Sequence, residues 1–336
     1  MARFGGNLAS CGRARFLAVI ALLLAAALPA ACSDESRDSE AAEGRIRAVA
    51  TVGMVGDLVR GVGGDRVEVV VLIGSGVDPH LHKPTRTDLA TLLAADLIVA
   101  NGLHLEGRMD EALAGAARSG TPVVEVATAI VEATGLRGPD GGLPGDPHLW
   151  MDPSLWARGI APIVAALCEL DPAGAEVYRR NGERYVEQLA GLDAAAEASL
   201  ASVPEAARVL VTAHDAFGYF GARYGFEVIG VQGLSTESEA GVRDLERIVD
   251  LLVTRGIPAV FIESSVSPRN VEALQAGALA RGHEVRLGGE LFSDAMGPAG
   301  APTGNYLGMI RHNVATIAAA LGGELPSEEA SRSALP

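Results

Sequence analysis

Two loops of this chain carry the same tetrapeptide, Asp-Pro-His-Leu, at residues 78–81 and 146–149. A third histidine, His214, directly follows the apolar run 208–213, and Asp294 stands in GGELFSDAMGP just past the last such run. Three imidazoles and one carboxylate make a nitrogen and oxygen donor set without thiolate, which suits zinc, manganese or ferrous iron and disfavours copper(I). No single interval among the four is a metal motif; the signal is that four separate loops offer matching chemistry. In each Asp-Pro-His the proline fixes its own φ and pushes the aspartate before it to extended backbone, so the histidine is held before any ion arrives. Pre-ordering a ligand lowers the entropy lost on binding. Asp-Pro alone has a plainer reading, since at Asp152 and Asp171 it only begins a helix.

Other polar residues carry narrower expectations. A metal-bound imidazole hands its other N–H to a carboxylate, carbonyl or water, and Glu263, ending AVFIE, is the candidate for that role beside His214. His82 makes an H-x-H with His80, which supports an alternative reading as an exported zinc hydrolase using His80 and His82. Against it, four protein ligands leave little room for a substrate water, and no glutamate stands beside the pair as H-E-x-x-H would place it. His82 is therefore expected at the rim, and His104, His283 and His312 at the surface or in the core.

The elements that must position these groups are eight short runs rich in β-branched residues: 46–52, 67–73, 96–100 and 121–126, then 208–213, 226–231, 257–263 and 284–287. Helical patterns alternate with them, which predicts an α/β fold of two lobes, each a four-stranded mostly parallel sheet flanked by helices, joined by one long rigid helix. In open parallel sheets ligands gather beyond the carboxyl ends of the strands, which puts His80, His148 and His214 along one edge. The long helix is expected over 172–203, with Tyr178, Tyr185, Leu189, Leu192, Ala196, Leu200 and Val203 as its apolar stripe. At 1.5 Å per residue it would be roughly 48 Å long. A further helix is expected over 152–170. GVGGDRV lacks the strand and glycine spacing of a dinucleotide fingerprint and reads as a turn.

With 336 residues, 49% of them hydrophobic, and 41 glycines, the chain is large enough for a real core. Its formal charge of -15 repels nucleic-acid phosphates and mildly favours cationic ligands. Arg3, Arg13 and Arg15 precede an uncharged run of 16 residues, 16–31, which is short of the roughly 20 a spanning helix needs and reads as a secretory signal. The expected organisation is a signal peptide over 1–31, a flexible tether over 32–45, a first lobe over 46–170, the linking helix over 171–203, a second lobe over 204–325 and a disordered tail over 326–336. Of three cysteines, Cys11 would leave with the signal and Cys168 reads as a buried small hydrophobe, so no disulfide framework is expected.

The junction before Cys32 resembles a bacterial lipoprotein signal, although Pro29 stands where such signals carry leucine. The resemblance implies lipidation of Cys32 and an exported, periplasmic or cell-surface protein anchored to a membrane, with simple cleavage as the alternative. GVDPHLHKPTRTDL, NGLHLEG, GDPHLWMDP, TAHDAFGYFGARYGFEVIGVQGLSTESEAG, FIESSVSPRN and GGELFSDAMGPAGAPTGNYLGMIRHNV, drawn from 46 to about 322, together resemble the zinc/manganese substrate-binding proteins of ABC transporters. That resemblance implies a helical-backbone metal receptor of the solute-binding family 9 type, with one divalent ion between two lobes. It puts the ligands at His80, His148, His214 and Asp294. It further implies a permease partner, a monomer and no enzymatic activity. GLRGPDGGLPGD carries no histidine where zinc members often have a histidine-rich loop, which favours manganese. His214 stands where many manganese members have glutamate, which keeps zinc next.

Overall fold

The computed structural model describes residues 44–137 and 145–324. The signal, Cys32, most of the tether and the tail lie outside the described residues. The described residues from Ile46 onward form one compact unit.

Strands β1 (Ile46–Val52), β2 (Val67–Ile73), β3 (Leu97–Ala100) and β4 (Val123–Glu125) pair in parallel in the order β2-β1-β3-β4. The central strands β1 and β3 are apolar almost throughout because helices cover both faces of a parallel sheet. The second set is β5 (Val209–His214) with β6 (Glu227–Gln232) and β7 (Ala259–Glu263) with β8 (Arg286–Leu291). All eight strands are parallel to their partners, but the second set forms two two-stranded pairs rather than one four-stranded sheet. β5 and β7 lie side by side, and at their carboxyl ends a side chain bridges them: the Glu263 carboxylate accepts the His214 backbone N–H at 2.9 Å.

β8 runs four residues past its expected end, through Gly288 and Gly289, which read in sequence as a stop. Beside them the β7–β8 register shifts at Val260/Phe261, and a Cβ on Gly288 would come within 2.5 Å of the Phe261 ring. The glycines let the strand continue past a bulge and a close aromatic neighbour.

The long helix is shorter than expected. The Asp171 carboxylate accepts the Gly174 N–H at 3.1 Å, so 172–174 form a single 3-10 turn before the α-helix Ala175–Leu200. Its 26 residues span about 39 Å. At its far end the Ser202 hydroxyl donates to the Ser199 carbonyl at 2.6 Å and closes the last turn. The expected stripe is buried, and it packs on helices Gly53–Gly63, Ile160–Leu170 and Tyr306–Ala320, so helices far apart in the chain dock on one rod.

The segment 152–170 is not one helix: Pro153–Trp156 and Ile160–Leu170 are separated by a 3-10 turn, where Gly159 packs so closely on Val126 that a Cβ would meet it at 2.5 Å. GVGGDRV ends helix Gly53–Gly63 and turns at Gly64 with φ +54°. Cys168 is half-buried, not the fully buried side chain expected. Among the described residues no helix is long and apolar enough to cross a membrane.

Candidate metal centre

The site begins with two Asx turns. Asp78 Oδ1 accepts the His80 backbone N–H and Asp146 Oδ1 accepts that of His148, each at 2.9 Å. Each aspartate thus captures the amide two residues on, which fixes the direction in which the histidine leaves the loop. His214 is the last residue of β5. Asp294 has no comparable local partner and is placed by its neighbours: Asn313 holds both the N–H and the carbonyl of Phe292, at 2.9 and 2.7 Å, and Trp150 Nε1 donates to the Ser293 carbonyl at 2.9 Å.

These elements bring His80, His148, His214 and Asp294 together, all buried, with one ligand atom from each lying within 4.8 Å of the others. His80 Nε2 is 3.4 Å from His148 Nε2 and 3.7 Å from Asp294 Oδ2. His148 Nε2 is 3.4 Å from Asp294 Oδ1, and His214 Nε2 is 3.1 Å from Asp294 Oδ2. Donors about 2.1 Å from a shared tetrahedral centre lie roughly 3.4 Å from one another, so the spacing fits a single ion. The His214–Asp294 approach is short but not aligned as a hydrogen bond. Both Asp294 oxygens and His214 Nε2 are buried without a hydrogen-bond partner among the described residues. A desolvated carboxylate lacking donors is costly, and a cation between these atoms removes that cost.

Two of the remaining ring nitrogens are spoken for. Glu263 Oε2 lies 2.5 Å from His214 Nδ1, and Asp146 Oδ1 lies 2.7 Å from His148 Nδ1. An Nδ1–H donated to a carboxylate leaves the Nε2 lone pair pointing at the centre and makes it more basic. Burial drives His80 down to about 4, outweighing the attraction of Asp294. Burial also pulls on His148, but the adjacent Asp146 and Asp294 outweigh it and hold the ring up at about 9. His214 is likewise raised well above its ordinary value, because Asp294 and Glu263 overcome its burial. Burial pushes the Asp294 carboxyl up, yet His214 and His148 hold it well below the usual range.

The other histidines lie elsewhere. His82 Nε2 sits 3.2 Å from Asp88, the carboxylate that also caps helix Arg86–Leu93, so the H-x-H does not converge. His104 is exposed and pairs with Asp110 at 3.0 Å; His283 and His312 meet the carbonyls of Ile257 and Glu290. Sequence reasoning missed three supports: the Asp146 contact to the ring, the Trp150 contact to the Asp294 loop, and Asn101 Nδ2, which donates to the Pro147 carbonyl at 3.1 Å. Asn101 is itself held by Glu106, whose buried carboxylate accepts its backbone N–H at 2.8 Å. The signal for Asp146 was present, since the aspartate precedes its histidine by two; the other two are contacts across long stretches of chain.

A buried group of three histidines and a carboxylate, fed by loops beyond the ends of parallel strands, is the build of a metal-binding protein. Comparison with known proteins narrows the class. The chain belongs to the ZnuA family, described as zinc-uptake complex component A, periplasmic, whose profile matches residues 48–320. It is 41% identical over 303 residues to the manganese-binding lipoprotein MntA of Bacillus subtilis (strain 168), covering 90% of this chain and 97% of that one. It is 45% identical over 286 residues to the zinc-binding protein TroA of Treponema pallidum (strain Nichols), covering 85% of this chain and 92% of that one. A solved structure of the periplasmic zinc-binding protein TroA from Treponema pallidum superposes with a TM-score of 0.79 at 45% identity, covering 83% of this chain and 99% of the other. The family is one of metal-uptake components, and the match brings no catalytic activity with it.

Proposed function

We propose that this chain is the extracytoplasmic receptor of an ABC importer, capturing one divalent cation with His80, His148, His214 and Asp294 and delivering it to a membrane permease. The observation that carries the reading is the buried Asp294 carboxylate, whose two oxygens face three imidazole nitrogens and lack hydrogen-bond donors among the described residues. Asp146 and Glu263 orient and polarise two of those imidazoles. The ligands come from both sides of the linking helix, in keeping with two lobes over 46–170 and 204–325 that close on the ion, and the long packed rod limits how far they swing. Manganese is the favoured cargo and zinc the next. Relatives named for each metal stand at comparable identity, and selectivity between them rests on geometry and supply, because zinc outranks manganese in intrinsic affinity.

Lipidation of Cys32 and a periplasmic or cell-surface location are part of this reading, supported by the signal and by relatives named as lipoproteins. The hydrolase alternative gains nothing from His82, which is engaged with Asp88. Elemental analysis of protein purified without added metal, followed by competition between manganese and zinc, tests the reading. One equivalent of ion, lost in His148→Ala, is the expected result; no stoichiometric metal in the parent overturns it.

A further inference from the structure

Trp150 is fully buried and touches the site in two ways while being held by a third contact. Its ring stands edge-on to His148, with centroids 5.2 Å apart. Its indole Nε1 donates to the Ser293 carbonyl at 2.9 Å, one residue before Asp294. Its own carbonyl accepts the Tyr306 hydroxyl at 2.6 Å. Tyr306 opens helix Tyr306–Ala320, and its backbone N–H donates to Asp57 Oδ2 at 3.1 Å, the same oxygen that takes the Tyr185 hydroxyl of the long helix at 2.5 Å. A hydrogen-bonded line therefore runs from helix Gly53–Gly63 and the long helix, through Tyr306 and Trp150, to the backbone that carries Asp294.

We infer that Trp150 is a positioning residue that sets the spacing between His148 and Asp294 and thereby controls how long the ion is held. The inference rests on the metal-receptor reading. His148 and Asp294 come from opposite sides of the linking helix, and their ligand atoms are 3.4 Å apart. Asp294 accepts no hydrogen bond of its own among the described residues. Its place is therefore set through Phe292 and Ser293, and the Ser293 carbonyl is tied to the indole that also flanks His148. Ligand geometry that drifts by fractions of an ångström loosens a metal site that is otherwise complete.

Trp156 supplies the control. It is the only other tryptophan, lies 6.2 Å from Trp150 in the same aromatic cluster, and its indole nitrogen has no partner among the described residues. Trp150→Phe and Trp156→Phe thus remove the same bulk from one core, but only the first removes a hydrogen bond to the Asp294 loop. The measurement is release of bound zinc from the full chain into a chromogenic chelator. Trp150→Phe is expected to keep one equivalent but release it about tenfold faster than the parent, the scale of one lost buried hydrogen bond, with Trp156→Phe at the parent rate. Tyr306→Phe, which frees the Trp150 backbone carbonyl and so loosens the segment that carries the indole, is expected to accelerate release in the same direction and serves if Trp150→Phe does not fold. Equal release rates for Trp150→Phe, Tyr306→Phe and Trp156→Phe overturn the inference and leave the receptor reading intact; a parent that binds no zinc overturns both.

Discussion

The two Asp-Pro-His-Leu loops share four letters and one backbone device, yet their side chains are wired differently. In both, the aspartate accepts the histidine's backbone N–H at 2.9 Å. In the second loop the same oxygen also faces the ring, 2.7 Å from His148 Nδ1, and Leu149 is fully buried. In the first loop Asp78 turns its other oxygen to the Thr236 hydroxyl at 2.5 Å, from the far side of the linking helix, and Leu81 is 44% exposed. One loop carries a buried histidine with its own carboxylate partner. The other carries a buried histidine whose aspartate ties two parts of the molecule together. The tetrapeptide fixes where the histidine's backbone goes; the surroundings decide when its ring loses its proton, with a pKa of about 9 for His148 and about 4 for His80.

This difference can be broken or sharpened. The largest effect belongs to the ligands themselves. His148→Ala and His80→Ala should each weaken binding by more than about a hundredfold, past the 10- to 100-fold range typical of outer partners, measured by chelator competition. Next, Asp146→Asn should weaken binding by roughly 10- to 100-fold, and Asp78→Asn by clearly less, since Asp78 makes no contact with the His80 ring. Equal losses would mean that both aspartates act only through the backbone amide.

The acid response should separate the loops as well. Ligating imidazoles must be neutral. Without the ion His148 stays protonated up to about 9, and His214 is also raised, so binding at pH 7 displaces protons from these rings and affinity climbs as pH rises toward 9. His80 is already neutral above about 4 and adds acid sensitivity only near that value. Calorimetry in buffers of different ionisation enthalpy should therefore report proton release at pH 7 that falls in Asp146→Asn. The smallest effect is expected for Thr236→Val, which removes only the Asp78 cross-tie. A few-fold faster ion release with unchanged stoichiometry, followed by stopped flow, is the expected outcome.

Much of this was readable from residue types. The strands announced themselves as short β-branched runs bounded by turn formers, and because parallel sheets gather ligands past their carboxyl ends, His80, His148 and His214 could be set on one edge before any coordinates. What stayed hidden depends on contacts that no local pattern records. Gly288 and Gly289 read as a stop because glycine normally ends a strand, while here Gly288 admits the Phe261 ring and Gly289 the Thr316 side chain. Where β5 and β7 lie side by side without ladder pairing, Glu263 takes a backbone amide 49 residues away. Trp150 reaches a carbonyl 143 residues on, and nothing in Leu-Trp-Met points there.

The most direct test is the metal content of the parent chain and of Asp294→Ala, both purified without added metal. The parent should carry one equivalent of manganese or zinc and the variant essentially none. One equivalent retained in Asp294→Ala would contradict this, because an ion that survives loss of this buried carboxylate is not held where the four side chains converge.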